Sequence, residues 1–263
     1  MGLTMDMLKV MNSEGKIVSV GEGHWGAIYA DYLKHAGRKN IVRKCRQMGM
    51  TTFALARGFM AASEGKTCVV VAQRHNVADY MWNTVRGFIQ NLLTPPPIKW
   101  TFTNRHAFGL EGCIPHQYQI FNSDRFHSGL GMKVDFVHFQ EFAWWSRDDQ
   151  ETVWNSLMPC LSPDAEVIIE SHPQFGDSGK FDDVWVGAEQ YGFVRHFFPW
   201  WKNPICVGAP IDPNTITLKE ETMMVMNGLS LEQMGWRRKA LGYYKAMFGG
   251  DKEFKREYGE NLI

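Results

Sequence analysis

Asn40-Ile41-Val42-Arg43-Lys44-Cys45-Arg46-Gln47-Met48-Gly49-Met50-Thr51-Thr52 is the stretch on which the fold turns. Residues 40–45 read as a strand, and residues 51–63 carry a helical pattern with Gly65 just beyond it. A short loop between them makes a strand-to-helix junction, where the first free N–H groups of the helix point at an anion. The strict phosphate-loop pattern is G-x-x-x-x-G-K-[ST]. Gly49 and Thr51 hold their places, but Met50 stands at the lysine position and Lys44 replaces the first glycine. Physically the segment still suits a phosphate: Gln47, Met48, Gly49, Met50, Thr51 and Thr52 line the turn, Lys44 or Arg46 supplies charge, and the Thr51 hydroxyl suits Mg²⁺. The alternative is a basic turn that binds nothing.

Outward from this junction, short apolar runs alternate with helical stretches. Residues 67–72 (TCVVVA) form a strand, and residues 75–93 a helix stopped by Pro95, Pro96 and Pro97. Residues 98–121 look like added strands or a hairpin. Strands at 134–139, 166–170 and 192–198 follow, with helices at 148–157 and from about 181. Beyond Pro213 only helices are expected, at 218–227 and 231–248. This alternation argues for an α/β fold, a mostly parallel sheet flanked by helices on both faces. Residues 1–215 would be its core, and residues 216–263 a small helical lid.

The 263 residues carry 28 Lys plus Arg against 28 Asp plus Glu, with 44% hydrophobic and 21% charged, which excludes disorder and fibrous repeats. A strong constitutive nucleic-acid binder would be basic overall. The balance is uneven locally: residues 31–74 hold nine basic and two acidic residues, residues 140–189 two basic and eleven acidic. Two solvated faces would explain that, and so would a phosphate site plus a contact between subunits. Five scattered cysteines make no disulfide framework and point to a reducing compartment; Cys113 and His116 lack the second pair that a zinc site needs. No run of about 18 apolar residues exists to span a membrane.

Ligands in α/β sheets bind at the carboxyl ends of strands. The apolar run 134–139 ends in Gln140-Glu141, where a nucleotide hydrolase places a metal-linked carboxylate and a water-activating glutamate. Glu141 suits the second role. Gln140 occupies the place of the first and reaches a metal only through bound water. Ser171 closes the run EVIIES beside a glycine-containing loop, where a hydrolase senses the terminal phosphate. A plain strand end or turn accounts equally for each feature alone. His138, inside an apolar strand, reads as a hydrogen-bonded core residue.

Together these segments resemble the ATPase domain of the large terminase subunit of tailed bacteriophages. The resemblance runs through KCRQMGMTT (residues 44–52), VHFQEFAWW (137–145), ESHPQFGDSGKFDDVW (170–185), FFPWW (197–201), GLSLEQMGWRRKAL (228–241) and EFKREYGENL (253–262). It covers roughly residues 40–262, and the last two segments are its most specific part. It implies a RecA-like (ASCE) P-loop NTPase fold and a Mg²⁺-dependent ATPase that drives double-stranded DNA into procapsids. Lys44 would be the displaced phosphate-loop lysine with Arg46 beside it, Thr51 the Mg²⁺-proximal hydroxyl, Glu141 the catalytic base, and Ser171 part of the coupling segment.

The resemblance also implies a homo-oligomeric ring, a pentamer, with a portal and a small terminase subunit as partners in the host cytoplasm, and no membrane. A nuclease domain, which follows in such proteins, is expected to be absent from this chain. Relatives carry an Arg-Gly pair before the catalytic glutamate, and here that pair is Leu130-Gly131. An arginine finger is worth roughly 10³–10⁵ in rate, so Arg125 or Lys133 becomes the candidate acting on a neighbouring subunit. Trp25 or Tyr29 is the candidate for stacking on adenine. Two other readings remain: a nucleotide-responsive assembly module with little hydrolysis, and a helicase-like translocase.

Overall fold

The computed structural model describes residues 3–11, 15–22, 25–92, 100–104, 107–110, 117–126, 131, 133–174, 176 and 178–260. In chain order the elements are β1 (Lys9–Met11), β2 (Ile17–Ser19), α1 (Gly26–His35), β3 (Lys39–Lys44), α2 (Met50–Ser63), β4 (Cys68–Ala72), α3 (His75–Gln90), β5 (Trp100–Asn104), β6 (Ala107–Leu110), β7 (Tyr118–Asn122), β8 (Val134–Gln140), α4 (Arg147–Leu157), β9 (Leu161–Ser171), α5 (Lys180–Val186), α6 (Ala188–Tyr191), β10 (Val194–Phe198), α7 (Leu218–Asn227), α8 (Leu231–Phe248) and α9 (Lys252–Tyr258). Eight strands form one sheet in the order β10-β3-β9-β8-β4-β7-β6-β5. The six from β10 to β7 run parallel, and β6 and β5 add an antiparallel hairpin at the edge.

Both faces of the parallel strands are buried, which is why β4 reads as the unbroken apolar run Cys68–Ala72. Val42, Val70, Phe136 and Ile168 belong to one core with α1, α2 and α3. Ile41, Val69, Val137 and Ile169 belong to the other with α4, α5 and α6. This two-in-step alternation also fixes where polar residues go. His138, Gln140, Glu170 and Lys44 fall on the α2 side by parity, whereas Arg43 falls on the other, over Phe181 and Trp185.

Strand adjacency changes the meaning of the charge asymmetry. Because β3 lies directly beside β9, the basic and acidic regions are neighbours within one chain. Arg38 pairs with Asp164, Arg43 with Asp182, Lys44 with Glu141 and Glu170, and Arg57 with Glu166. These pairs show that part of the charge asymmetry is matched within the chain itself. Among the described residues no helix is long and apolar enough to cross a membrane. Cys45, Cys68, Cys160 and Cys206 are free thiols; Cys113 and His116 lie outside the described residues.

Candidate functional site

The loop between β3 and α2 needs an unusual backbone. Gln47 has φ 59° and Gly49 φ 69°, both left-handed. At Gly49 a side chain is excluded twice over, because an added Cβ would stand 2.3 Å from the Tyr29 hydroxyl oxygen and 2.9 Å from the Trp25 ring. Those two aromatic residues hold the loop from beneath. The Trp25 indole N–H donates to the Gln47 carbonyl at 2.9 Å, and the Tyr29 hydroxyl donates to the Gly49 carbonyl at 3.0 Å. Tyr29 is buried with its ring 4.7 Å from that of Phe53. It is a floor for the loop, so the expectation of an adenine stacked on Tyr29 is corrected. No side chain caps α2, which leaves its first-turn N–H groups turned toward the loop.

Met48 and Met50 are buried in the α1–α3 core, so each offers the loop only its backbone. Met50 takes the lysine position because that side chain points inward to packing. The cation comes instead from Lys44 at the end of β3. Its ammonium lies 2.7 Å from Glu141 Oε1 and 3.0 Å from Glu170 Oε2. The Thr51 hydroxyl, in the first turn of α2, donates to Glu170 Oε1 at 2.8 Å. Thr51, Glu170, Lys44 and Glu141 thus form one continuous polar chain across the tips of three strands. Burial by itself would lower the Lys44 pKa, but the two carboxylates outweigh it and hold the ammonium well above the ordinary lysine range.

Glu141 follows β8 in a left-handed conformation, φ 51°, which turns its carboxylate back toward the site. Oε2 accepts from the Ser171 hydroxyl at 3.1 Å and from the His172 backbone N–H at 3.0 Å, and His172 Nδ1 is 2.7 Å away. Burial pushes the Glu141 carboxyl up, yet Lys44 and His172 more than offset that and hold it far below the usual carboxylate range. The result is an ionised carboxylate at neutral pH, oriented by four partners. Chemically such a group orients and deprotonates a water. Ser171 touches it directly.

Two expected residues behave differently. Gln140 makes no hydrogen bond to Thr51; its Oε1 accepts from the Gln73 backbone N–H at 3.1 Å, just past the end of β4. The carboxylate bonded to Thr51 is Glu170, level with Gln140 on the adjacent strand. Arg46 is exposed, but its guanidinium pairs with Glu257 of α9, and its backbone N–H donates to the Glu257 carbonyl at 3.1 Å. His138 lacks the hydrogen bond expected of it: neither ring nitrogen makes one, and Nε2 faces Glu170 Oε1 at 3.4 Å. Thr52 lies half-buried on α2. Lys133 is exposed just before β8; the Arg125 side chain and Leu130 lie outside the described residues.

Glu170, His172 and Glu257 are the site residues that sequence reasoning missed. Glu170 closes an apolar run and looks like a strand end, but a carboxylate sharing parity with Ile168 must face the buried α2 side. That parity was the available signal.

The oxygen-only set of Thr51, Glu170 and Glu141 suits a hard cation such as Mg²⁺. Glu170 Oε2 is buried and accepts no hydrogen bond, with only the Lys44 ammonium opposite it. Among the described residues no group of three or more His, Cys, Asp or Glu could hold a metal by itself. A Mg²⁺ here would therefore complete its shell with phosphate oxygens and water, as Mg²⁺ does in nucleotide sites.

Compared with solved structures, the chain is similar to the large terminase ATPase domain of Thermus phage P74-26, with a TM-score of 0.59 at 15% identity over 90% of this chain and 92% of that one. The HK97 bacteriophage large terminase is similar with a TM-score of 0.50 at 12% identity over 84% of this chain and 46% of that one, so this chain spans about half its length. No family model and no curated protein matches the sequence. The fold is a mostly parallel α/β sheet flanked by helices, with β3 between β10 and β9. More specifically, it is the fold of the ATPase domain of phage large terminases.

Proposed function

We propose that this chain is an ATP-hydrolysing motor domain of a phage large terminase. The observation that carries the reading is the polar chain Thr51–Glu170–Lys44–Glu141, built at the carboxyl ends of β3, β9 and β8 around the first turn of α2. Lys44 and the α2 N–H groups bind phosphate, the Thr51 hydroxyl reaches Mg²⁺, and Glu141 orients the attacking water. Bound Mg²⁺ neutralises charge on the phosphate oxygens. Positioning and electrostatics then do most of the catalytic work. Residues 216–263 act as a lid, and Arg125 or Lys133 acts on the neighbour in a homo-oligomeric ring that moves double-stranded DNA in the host cytoplasm.

The test is ATP turnover with Mg²⁺ as protein concentration rises. Turnover should climb steeply if a neighbour completes the site, and Glu141→Ala should reduce it by about 10²-fold or more. Turnover unaltered by that substitution removes Glu141 from the mechanism. The engagement of Gln140 with the Gln73 backbone favours one other reading, a nucleotide-responsive assembly module. In that case nucleotide binds, but turnover stays flat and near zero at every concentration.

A further inference from the structure

Nucleotide hydrolases of this general plan hold the metal-linked carboxylate on the strand that also carries the catalytic glutamate. In this chain that position is Gln140, an amide whose oxygen is already occupied by the Gln73 N–H. One strand nearer to the phosphate loop, at the same level, stands Glu170: its Cα pairs with that of Gln140 on one side and with that of Val42 on the other. Its side chain is fully buried on the α2 face. Oε1 accepts the Thr51 proton at 2.8 Å, leaving the hydroxyl lone pairs free for a cation. Oε2 has no hydrogen bond and faces the Lys44 ammonium at 3.0 Å.

The charges agree with this placement. Lys44 faces two buried carboxylates, Glu141 and Glu170, with His172 beside the first and His138 beside the second. The triad of Lys44, Glu141 and Glu170 by itself thus carries one more negative charge than positive in a setting where unpaired charge is costly. A cation beside Thr51 removes the surplus. We propose that Glu170 supplies the carboxylate of the Mg²⁺ shell in place of Gln140, the carboxylate having moved one strand sideways toward the phosphate loop. This rests on the nucleotide reading of the site, and it assigns Glu170 a metal-holding role distinct from the water-orienting role of Glu141.

Calorimetric titration with the slowly hydrolysed analogue ATPγS, in Mg²⁺ and in EDTA, tests it. The quantity read is the ratio of the two affinities, which a merely structural role for Glu170 would leave alone. Wild type should bind more tightly with Mg²⁺, and Glu170→Gln should reduce that gain by about 10-fold or more. Restoring a carboxylate on β8 in the double variant Glu170→Gln/Gln140→Asp should recover most of it. Gln140→Asp alone keeps Glu170 and is the safeguard should the first variant fold poorly. If Glu170 already serves, the Mg²⁺ gain should change by less than about 2-fold; if the shell lacks a carboxylate, it should rise by about 10-fold. A wild-type Mg²⁺ gain retained in Glu170→Gln, or a large rise in Gln140→Asp, overturns the assignment while leaving nucleotide binding intact. Wild type that binds ATPγS in neither condition instead overturns the nucleotide reading itself.

Discussion

Lys44 decides the electrostatics of the site. Removing it leaves Glu141 and Glu170 buried without their shared cation, and breaking a buried ionic group of this kind costs about 3–5 kcal/mol. The pH dependence of that loss has a definite sign. In the wild type the Glu141 carboxyl is depressed, so its stabilising contribution is complete above the ordinary carboxylate range and disappears as pH falls through its own lower value. The Lys44 ammonium is raised, so its contribution is complete below the ordinary lysine range and is lost only as pH rises through its own higher value. Without Lys44, burial and mutual repulsion drive the two carboxyls upward instead. Lys44→Met should therefore be less stable than wild type near neutral pH, and the gap should narrow at about pH 5 as a carboxyl takes up a proton. Urea unfolding at the two pH values measures it; a gap that widens in acid contradicts the ionic account of the triad.

At the scale of elements, the segments most specific to the resemblance converge on one another. Trp200 follows β10, Trp236 and Arg237 lie on α8, and Tyr258 ends α9. The rings of Trp200 and Trp236 stack at 5.1 Å, and Trp236 meets Tyr258 edge-on at 5.1 Å. Arg237 grips Glu260 through two hydrogen bonds of 2.5 and 2.8 Å, and Glu260 also accepts from the Trp200 indole at 3.0 Å. Together they dock the C-terminal helices on the sheet. Arg237→Ala should cost about 3–5 kcal/mol by stranding a buried carboxylate. The N-cap change Ser230→Ala on the same helix should cost only about 1 kcal/mol. Thermal unfolding of both variants separates them, and equal losses would mean that the knot contributes no more than a cap.

The element scale also shows what a linear reading captures. Doubly buried strands such as 68–72 stand out as apolar runs, and α3 ends at Gln90, short of the prolines that begin at Pro95, so most of the sheet is legible. α1 was not legible: its Ile28, Tyr29 and Tyr32 are buried and Gly37 lies just past its end, but no side chain caps its start. Thr51 and Glu141, singled out by their places after β3 and β8, do come together in the structure through Glu170 and Lys44. The site was not legible where a role had moved sideways, because the neighbour that gives Glu170 its meaning, Thr51, lies 119 residues away in sequence. The pairing of Arg46 was hidden for the same reason, since its partner Glu257 comes from the far end of the chain.

That last contact joins the two ends of the molecule. Glu257 on α9 pairs with the Arg46 guanidinium, its carbonyl accepts the Arg46 N–H, and its Oε2 lies 3.8 Å from His172 Nε2, the imidazole whose other nitrogen meets Glu141. Glu257 therefore ties α9 to the loop between β3 and α2 and, through His172, to Glu141. A phosphate that recruits Arg46 must take it from Glu257, so occupancy of the loop and docking of α9 compete for one guanidinium. Nucleotide should accordingly speed amide exchange across Lys252–Tyr258 in the wild type. Glu257→Gln weakens the competitor, so it should bind ATPγS about 3- to 10-fold more tightly, in keeping with the roughly 1 kcal/mol difference between charged and neutral hydrogen bonds to an acceptor. In that variant α9 should exchange fast with or without nucleotide. Exchange on α9 that ignores nucleotide in the wild type would mean that Arg46 stays with Glu257 throughout, leaving Lys44 and the α2 N–H groups to hold the phosphates alone.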